Sequence, residues 1–456
     1  MIKAANKDPR YMLSGSLWDK ILIFAIPLAI GNVVQQLFNS ADVAVVGRFA
    51  GSDSLAAVGS TSSIINLMLN LLVGLSIGSN VVISKAIGKK DDKLANDAVH
   101  TAFLTALISG IIIMIIGIVF AIPILNLIST PEEIIGKATL YLRIYFLGLP
   151  FITIYNFEAS IMRSVGDTVR PVIILVIAGI TNVILNIFFV VVCGLDVAGV
   201  AIATTISNII SSMSLMHLLR HEDGVIKLQL KKLSINREIL FEIIKIGIPA
   251  SIQGMVFSFS NVCIQSGLNK LGTKVISASA AALNFEYYAF FVLNSFTQAC
   301  MTFVGQNFGA RNWKRCRKVV RTSLALDIVV TMIVCTIFII FYRPLMSVFT
   351  TDSEIIELGG IRMKYILGFE VLNIIIDLMS GALRGIGKSF VPALICVLGI
   401  CGTRLIWVYL VFPHFNTLEN LMAVYSVSWV VTLIFMSIAY FKTMKKNLRD
   451  NAKEMA

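Results

Sequence analysis

The sequence predicts an all-α polytopic membrane protein with twelve transmembrane helices arranged as two six-helix lobes. Three observations predict it: apolar runs of bilayer length, a one-sided distribution of Lys and Arg, and an internal repeat at a nearly constant offset. Apolar types make up 57% of the 456 residues and charged types only 14%, so a soluble multidomain chain is excluded. The mean hydropathy of +0.85 points the same way.

The first run, Ile21 to Val46, holds one charge, Asp42, and one helix-breaker, Pro27. Its length exceeds a signal-peptide core and no small-residue cleavage site follows, so it reads as the first span. After a Gly-rich turn come runs near 55–83, 97–124, 136–157, 169–192 and 196–219. A Lys-rich segment, 220–238, is the longest polar stretch and the expected linker. Six further runs follow near 239–269, 275–304, 318–341, 358–380, 391–412 and 418–441. The expected division is therefore 1–219 for the N-terminal lobe, 220–238 for the linker, 239–441 for the C-terminal lobe and 442–456 for a cytoplasmic tail.

Charge sets the orientation. With both termini cytoplasmic, 29 Lys and Arg fall on the inner side and eight on the outer side (48, 137, 143, 270, 274, 343, 362, 364), with Arg404 inside the eleventh span. That imbalance is the positive-inside signature of a multi-pass protein of the cell membrane. It also explains the net charge of +12 without a nucleic-acid partner. The seven cysteines form no CxxC and lie mostly in apolar runs, as small core residues do; neither a disulfide framework nor a metal site is expected.

The halves repeat. Pro27 matches Pro249 and Asn39 matches Asn261 at an offset of 222. Gly51–Gly272, Gly88–Gly309, Arg163–Arg384, Gly166–Gly387 and Pro171–Pro392 match at 221. RSVGDTVRP recurs as RGIGKSFVP. An even number of spans per repeat puts both in the same sense across the bilayer, so a pseudo-two-fold axis along the membrane normal and a central cleft are expected. A duplication without transport is the plainer alternative.

The first span also proposes the chemistry. Asn32, Gln35, Gln36, Asn39 and Asp42 fall within an arc of about 120° on a helical wheel. Such a stripe avoids lipid, because an acid at the bilayer centre costs about 2.5–3.5 kcal/mol even on the lenient insertion scale. In the fifth span Asn182 and Asn186 are i, i+4 neighbours on one face. Gln253, Asn261 and Gln265 echo the stripe in the seventh span. Any one amide is also explained as inter-helix glue worth about 0.6 kcal/mol.

Six acids lie in apolar runs: Asp42, Glu158, Glu286, Asp327, Glu370 and Asp377. Against them stands one base within a run, Arg404, so an acidic cavity selecting protons, Na⁺ or organic cations is expected. Glu158 and Asp377 precede Arg163 and Arg384 by a few residues and are expected to pair locally. Glu370 is placed to pair with Arg404. Asp42, Glu286 and Asp327 have no evident partner and are left as the ionic candidates, Asp42 foremost because of its amides. Pro27, about four turns before Asp42, removes a backbone hydrogen bond and is the expected hinge, static or moving.

The stretch FNSADVAVVGRFAGSDSLAAVGS, the loop ISKAIGKKD echoed as VGQNFGARN, and the turns LRGIGKS and MRSVGDTVRP resemble the multidrug and toxic compound extrusion (MATE) family. The resemblance spans nearly the whole chain. It implies secondary active efflux of cationic, amphipathic small molecules by alternating access, driven by H⁺ or Na⁺, with no other cofactor and in a monomer. The family's first-helix aspartate falls on Asp42 and its proline on Pro27. Its fifth-helix Asn-x-x-x-Asp falls on Asn182 and Asn186, where an amide replaces the acid. Another branch carries acids at positions that are Phe257 and Asn373 here, so that branch's cation site is missing. The resulting ion and substrate set is Asp42, Asn39, Gln35, Asn182, Asn186 and Glu286.

Other classes fit less well. A flippase of lipid-linked precursors from the same superfamily would want a cationic cavity. A membrane-embedded hydrolase would want a HExxH or GxSxG motif, and neither occurs. SKAIGKKDDK is not the loop after the second helix of major facilitator carriers.

Overall fold

The computed structural model describes residues 8–454; the predicted extreme N-terminus and the last two residues of the predicted tail lie outside the described residues. The fold is all-helical. The helices are α1 (Trp18–Ala50), α2 (Ser52–Gly88), α3 (Asp92–Leu127), α4 (Glu132–Ser164), α5 (Val169–Val192), α6 (Asp196–His221), α7 (Arg237–Lys270), α8 (Thr273–Gly309), α9 (Trp313–Ile340), α10 (Ser353–Leu367), α11 (Glu370–Gly385), α12 (Phe390–His414) and α13 (Leu418–Glu454). Among the described residues eleven helices are long and apolar enough to cross a membrane. The bent pair α10 and α11 makes the twelfth. Ile112, Ile115, Val119 and Phe120 of α3 are exposed, as a lipid-facing stripe requires.

The predicted tenth span, read as one run over 358–380, is broken by 43° between Leu367 and Glu370. A Cβ at Gly368 would stand 2.5 Å from the Lys364 carbonyl oxygen, so the bend relies on glycine. The predicted tail is not a loose end: α13 continues through 442–454.

The chain divides into two compact units; apart from a change at Arg10/Tyr11, ahead of α1, the divisions fall inside helices rather than at the linker. Unit 1 is built on Ile30–Ser251; unit 2 joins Tyr11–Ala29 to the chain from Ile252 on. The two changes within helices each come two residues after a helical proline, Pro27 in α1 and Pro249 in α7. The linker belongs wholly to unit 1. There the Asn96 amide donates to the carbonyls of Val225 (3.3 Å) and Lys227 (3.1 Å), and the Gln229 N–H donates to His100 Nε2 at 3.1 Å.

Within unit 1 the first half of α7 lies tightly on α2. A Cβ at Gly78 would approach the Ile243 carbonyl oxygen to 2.3 Å, and one at Gly247 would approach the Leu75 Cα to 2.8 Å. The Ser251 hydroxyl donates to the Leu71 carbonyl at 2.7 Å. Small residues at such contacts let helices meet where no hydrophobic driving force operates. Unit 2 seats the start of α1 in the corresponding way. Phe24 meets Phe303 of α8 edge-on at 5.9 Å, and Arg315 donates to the carbonyls of Met12 (3.2 Å), Ser14 (2.7 Å) and Gly15 (3.0 Å).

The repeat reaches the backbone. Left-handed residues recur at offset 221: Gly51 (φ 85°) with Gly272 (φ 99°), Lys90 (59°) with Arg311 (56°), and Gly166 (85°) with Gly387 (88°). Asp91 caps α3 through the Leu94 N–H, and Asn312 caps α9 through the Arg315 N–H. Glycine at the first and third pairs meets that backbone need without strain.

Candidate functional site

In unit 1 two glycines bring α1 and α5 together. A Cβ at Gly31 would lie 2.7 Å from a Val172 methyl, and one at Gly179 would lie 1.8 Å from the Phe38 ring. No larger residue fits either crossing as built. One turn beyond Phe38 on α1, Asp42 therefore faces the end of α5, where Asn186 Nδ2 donates to Asp42 Oδ1. Asn186 Nδ2 also lies 3.3 Å from Asn182 Oδ1, and Asn182 Nδ2 donates to Thr204 Oγ1 of α6 at 3.3 Å. The result is a polar chain across three helices ending on a half-buried carboxylate.

Asn182 and Asn186 are buried while Asp42 and Thr204, at the two ends, are half-buried, so the acid is the ionisable member of the chain that outside ligands can reach. Tyr141 and Tyr145 of α4 lie near enough to interact electrostatically with Asp42. Both helices become π-helical just past the site, at Val46–Ala50 in α1 and Phe188–Val192 in α5. Single π turns recur at functional sites because they re-aim side chains. A carboxylate held by one amide hydrogen bond in a low-dielectric setting is a group that a proton or a cation can neutralise.

The predicted residues are only partly gathered. Asp42, Asn182 and Asn186 meet. Gln35 and Asn39 are exposed on the same stripe of α1 and make no side-chain hydrogen bond among the described residues. Thr204, Tyr141 and Tyr145 went unmarked in the sequence. Thr204 sits in AIATTISN with nothing to distinguish it from Thr205.

A family model described as MatE matches residues 27–188 and 249–410. The chain belongs to the MATE family. The two matched segments start 222 residues apart, the repeat offset. The probable multidrug resistance protein YoeA of Bacillus subtilis (strain 168) is 27% identical to this MATE protein over 413 residues, covering 89% of each chain. The multidrug export protein MepA of Staphylococcus aureus (strain MSSA476) is 22% identical over 430 residues, covering 91% of this chain and 95% of its own. Among solved structures, the outward-facing conformation of a multidrug resistance MATE family transporter matches with a TM-score of 0.90. It shares 22% identity and covers 98% of this chain and 100% of that one, which establishes the same fold.

The expectations about the other charged residues within the spans of this MATE protein are corrected in unit 2 and unit 1. Glu286 is not unpaired: Arg362 of α10 holds it with Nε–Oε1 2.6 Å and Nη2–Oε2 2.9 Å. Arg362 lies inside a span and is 3% exposed, so Arg404 is not the lone base. In the Lys and Arg count Arg362 stands with Lys364 among the outer-side charges, at the start of the tenth run. Glu370 does not pair with Arg404 but accepts from the Asn373 amide at 2.8 Å.

The local pairs fail for geometric reasons. Glu158 is fully buried with neither carboxylate oxygen hydrogen-bonded. Arg163, five residues on, points about 140° around the helix from it. Asp377 and Arg384 share a face but stand seven residues, about 10.5 Å, apart along it. Arg384 donates instead to Gln253 Oε1 at 2.6 Å.

Proposed function

We propose that this MATE-family transporter is a secondary active antiporter. It exports cationic, amphipathic small molecules across the cell membrane as a monomer, in exchange for inward H⁺ or Na⁺ and without a further cofactor. Both termini and the 220–238 linker are cytoplasmic in this reading, as the Lys and Arg distribution favours. The names of the relatives, multidrug resistance and multidrug export, support the substrate class.

The observation that carries the reading is Asp42 at the open end of the Asn186–Asn182–Thr204 chain. A ligand shifts a conformational equilibrium only through a difference in its affinity for the two states. Neutralising Asp42 removes the charge that Asn186 solvates. Helix α1 then repacks by bending near Pro27, and the cation leaves outward. Loss of the proton or Na⁺ to the cytoplasm restores the charged, cation-binding state.

Dye efflux from membrane vesicles under imposed pH or Na⁺ gradients tests this. Asp42→Asn is the permanently neutral form and should abolish efflux under both gradients while the protein still inserts. Wild-type rates in Asp42→Asn place the ion site elsewhere. A wild type silent under both gradients favours the flippase reading.

A further inference from the structure

Unit 2 repeats the helix pairing of the Asp42 site with the opposite charge. By the repeat offsets α7 corresponds to α1 and α12 to α5. Asn261 is the counterpart of Asn39, and Arg404 stands one position past the counterpart of Asn182.

Arg404 is 3% exposed. Its Nη1 donates to Asn261 Oδ1 at 3.3 Å, its Nε has no hydrogen-bond partner, and it makes no ion pair with a carboxylate among the described residues. The nearby acids are engaged: Glu286 by Arg362 and Glu370 by Asn373. A guanidinium does not shed its proton in a protein, so this positive charge persists. Its plane is framed by aromatic rings, 4.3 Å from the Tyr425 centroid and 5.9 Å from that of Phe257.

The helix around it is irregular on both sides. The π turns Val397–Gly402 and Trp407–Val411 leave one α-helical turn, Thr403–Ile406, between them. Asn261 is exposed, so the guanidinium lies one side chain beneath an open face of α7.

We propose that Arg404, Asn261, Phe257 and Tyr425 form an anion site in unit 2 that takes small aromatic carboxylates. The carboxylate displaces the 3.3 Å contact with Asn261 and accepts a charge-assisted hydrogen bond from Nη1, on the side that the exposed Asn261 covers, and the freed Asn261 amide is placed to donate a second. The ligand ring packs beside Phe257 and Tyr425. The site depends neither on cation export nor on Asp42.

Isothermal titration of the purified full-length protein in detergent tests it with three probes of one shape: 1-naphthoate, 1-naphthylmethanol and 1-naphthylmethylammonium. Wild type should bind naphthoate at least tenfold tighter than the alcohol. Arg404→Gln should erase that preference, Arg404→Lys should keep part of it, and Asp42→Asn should leave it unchanged. Equal affinity of wild type for naphthoate and the alcohol overturns the proposal. So does a preference that survives Arg404→Gln, or one lost in Asp42→Asn. If Arg404→Gln does not accumulate, Asn261→Leu serves in its place and should weaken naphthoate but not the alcohol; an equal loss for both overturns the site.

Discussion

Glu286→Gln separates a structural acid from a coupling acid. The carboxylate is held by both ends of the Arg362 fork, at 2.6 and 2.9 Å, and the side chains are 10% and 4% exposed. Glutamine keeps the shape but strips the countercharge from a guanidinium that stays charged. Removing one partner of a buried pair costs about 3–5 kcal/mol. In a cooperative unit of about 200 residues that corresponds to a fall of roughly 6–20 °C in melting temperature. Adding Arg362→Met removes the stranded charge and should recover most of the loss, since apolar replacement of a whole buried pair is often neutral or better. The assay is thermal unfolding of wild type and the two variants in detergent, beside dye efflux of each in vesicles. A Glu286→Gln protein that melts within about 2 °C of wild type and yet loses gradient-driven efflux refutes the structural role.

Three further outcomes are expected. Pro27→Ala restores a helical hydrogen bond near the point where α1 passes from one unit to the other, so dye efflux should slow while equilibrium cation binding is kept. Gly179→Ala places a methyl 1.8 Å from the Phe38 ring; it should cost about 1–3 kcal/mol and lower efflux with Asp42 intact, and Phe38→Ala should restore both on melting and transport assays. His100→Phe removes the acceptor of the Gln229 N–H, a buried-donor cost of about 1–3 kcal/mol. Trypsin cleavage after Lys231 should therefore rise roughly tenfold, and an unchanged cleavage rate would show the linker held by other contacts.

What the sequence revealed follows from where each constraint is local. Spans are legible because the bilayer forces twenty or so apolar residues into each, and the repeat because turn glycines such as Gly166 and Gly387 answer a backbone need. Asp42, Asn182 and Asn186 are legible because each helix gathers its polar groups on one face before the helices meet. The Glu286–Arg362 pair joins residues 76 apart, and beside Lys364 at the start of its run Arg362 counts as an outer-side charge. The break after Leu367 escapes notice because no proline marks it. Pairs expected from spacing alone, such as Glu158 with Arg163, fail because nearness in sequence is not nearness on a helix surface.

The boundary between the units has a consequence for how the two repeats depend on each other. Each unit contains the opening half-helix of the other repeat: Tyr11–Ala29 lies with the C-terminal set, and Arg237–Ser251 with the N-terminal set. A lone six-helix repeat, before duplication, would have left its second helix without the half-helix that now covers Gly74 and Gly78 or meets Phe303. The segment 220–238 thus joins two repeats, each of which lends its opening half-helix to the unit built on the other. Severing the chain there should yield two fragments that reach a cooperative melting transition only when expressed together, and a single fragment that melts cooperatively alone would refute this.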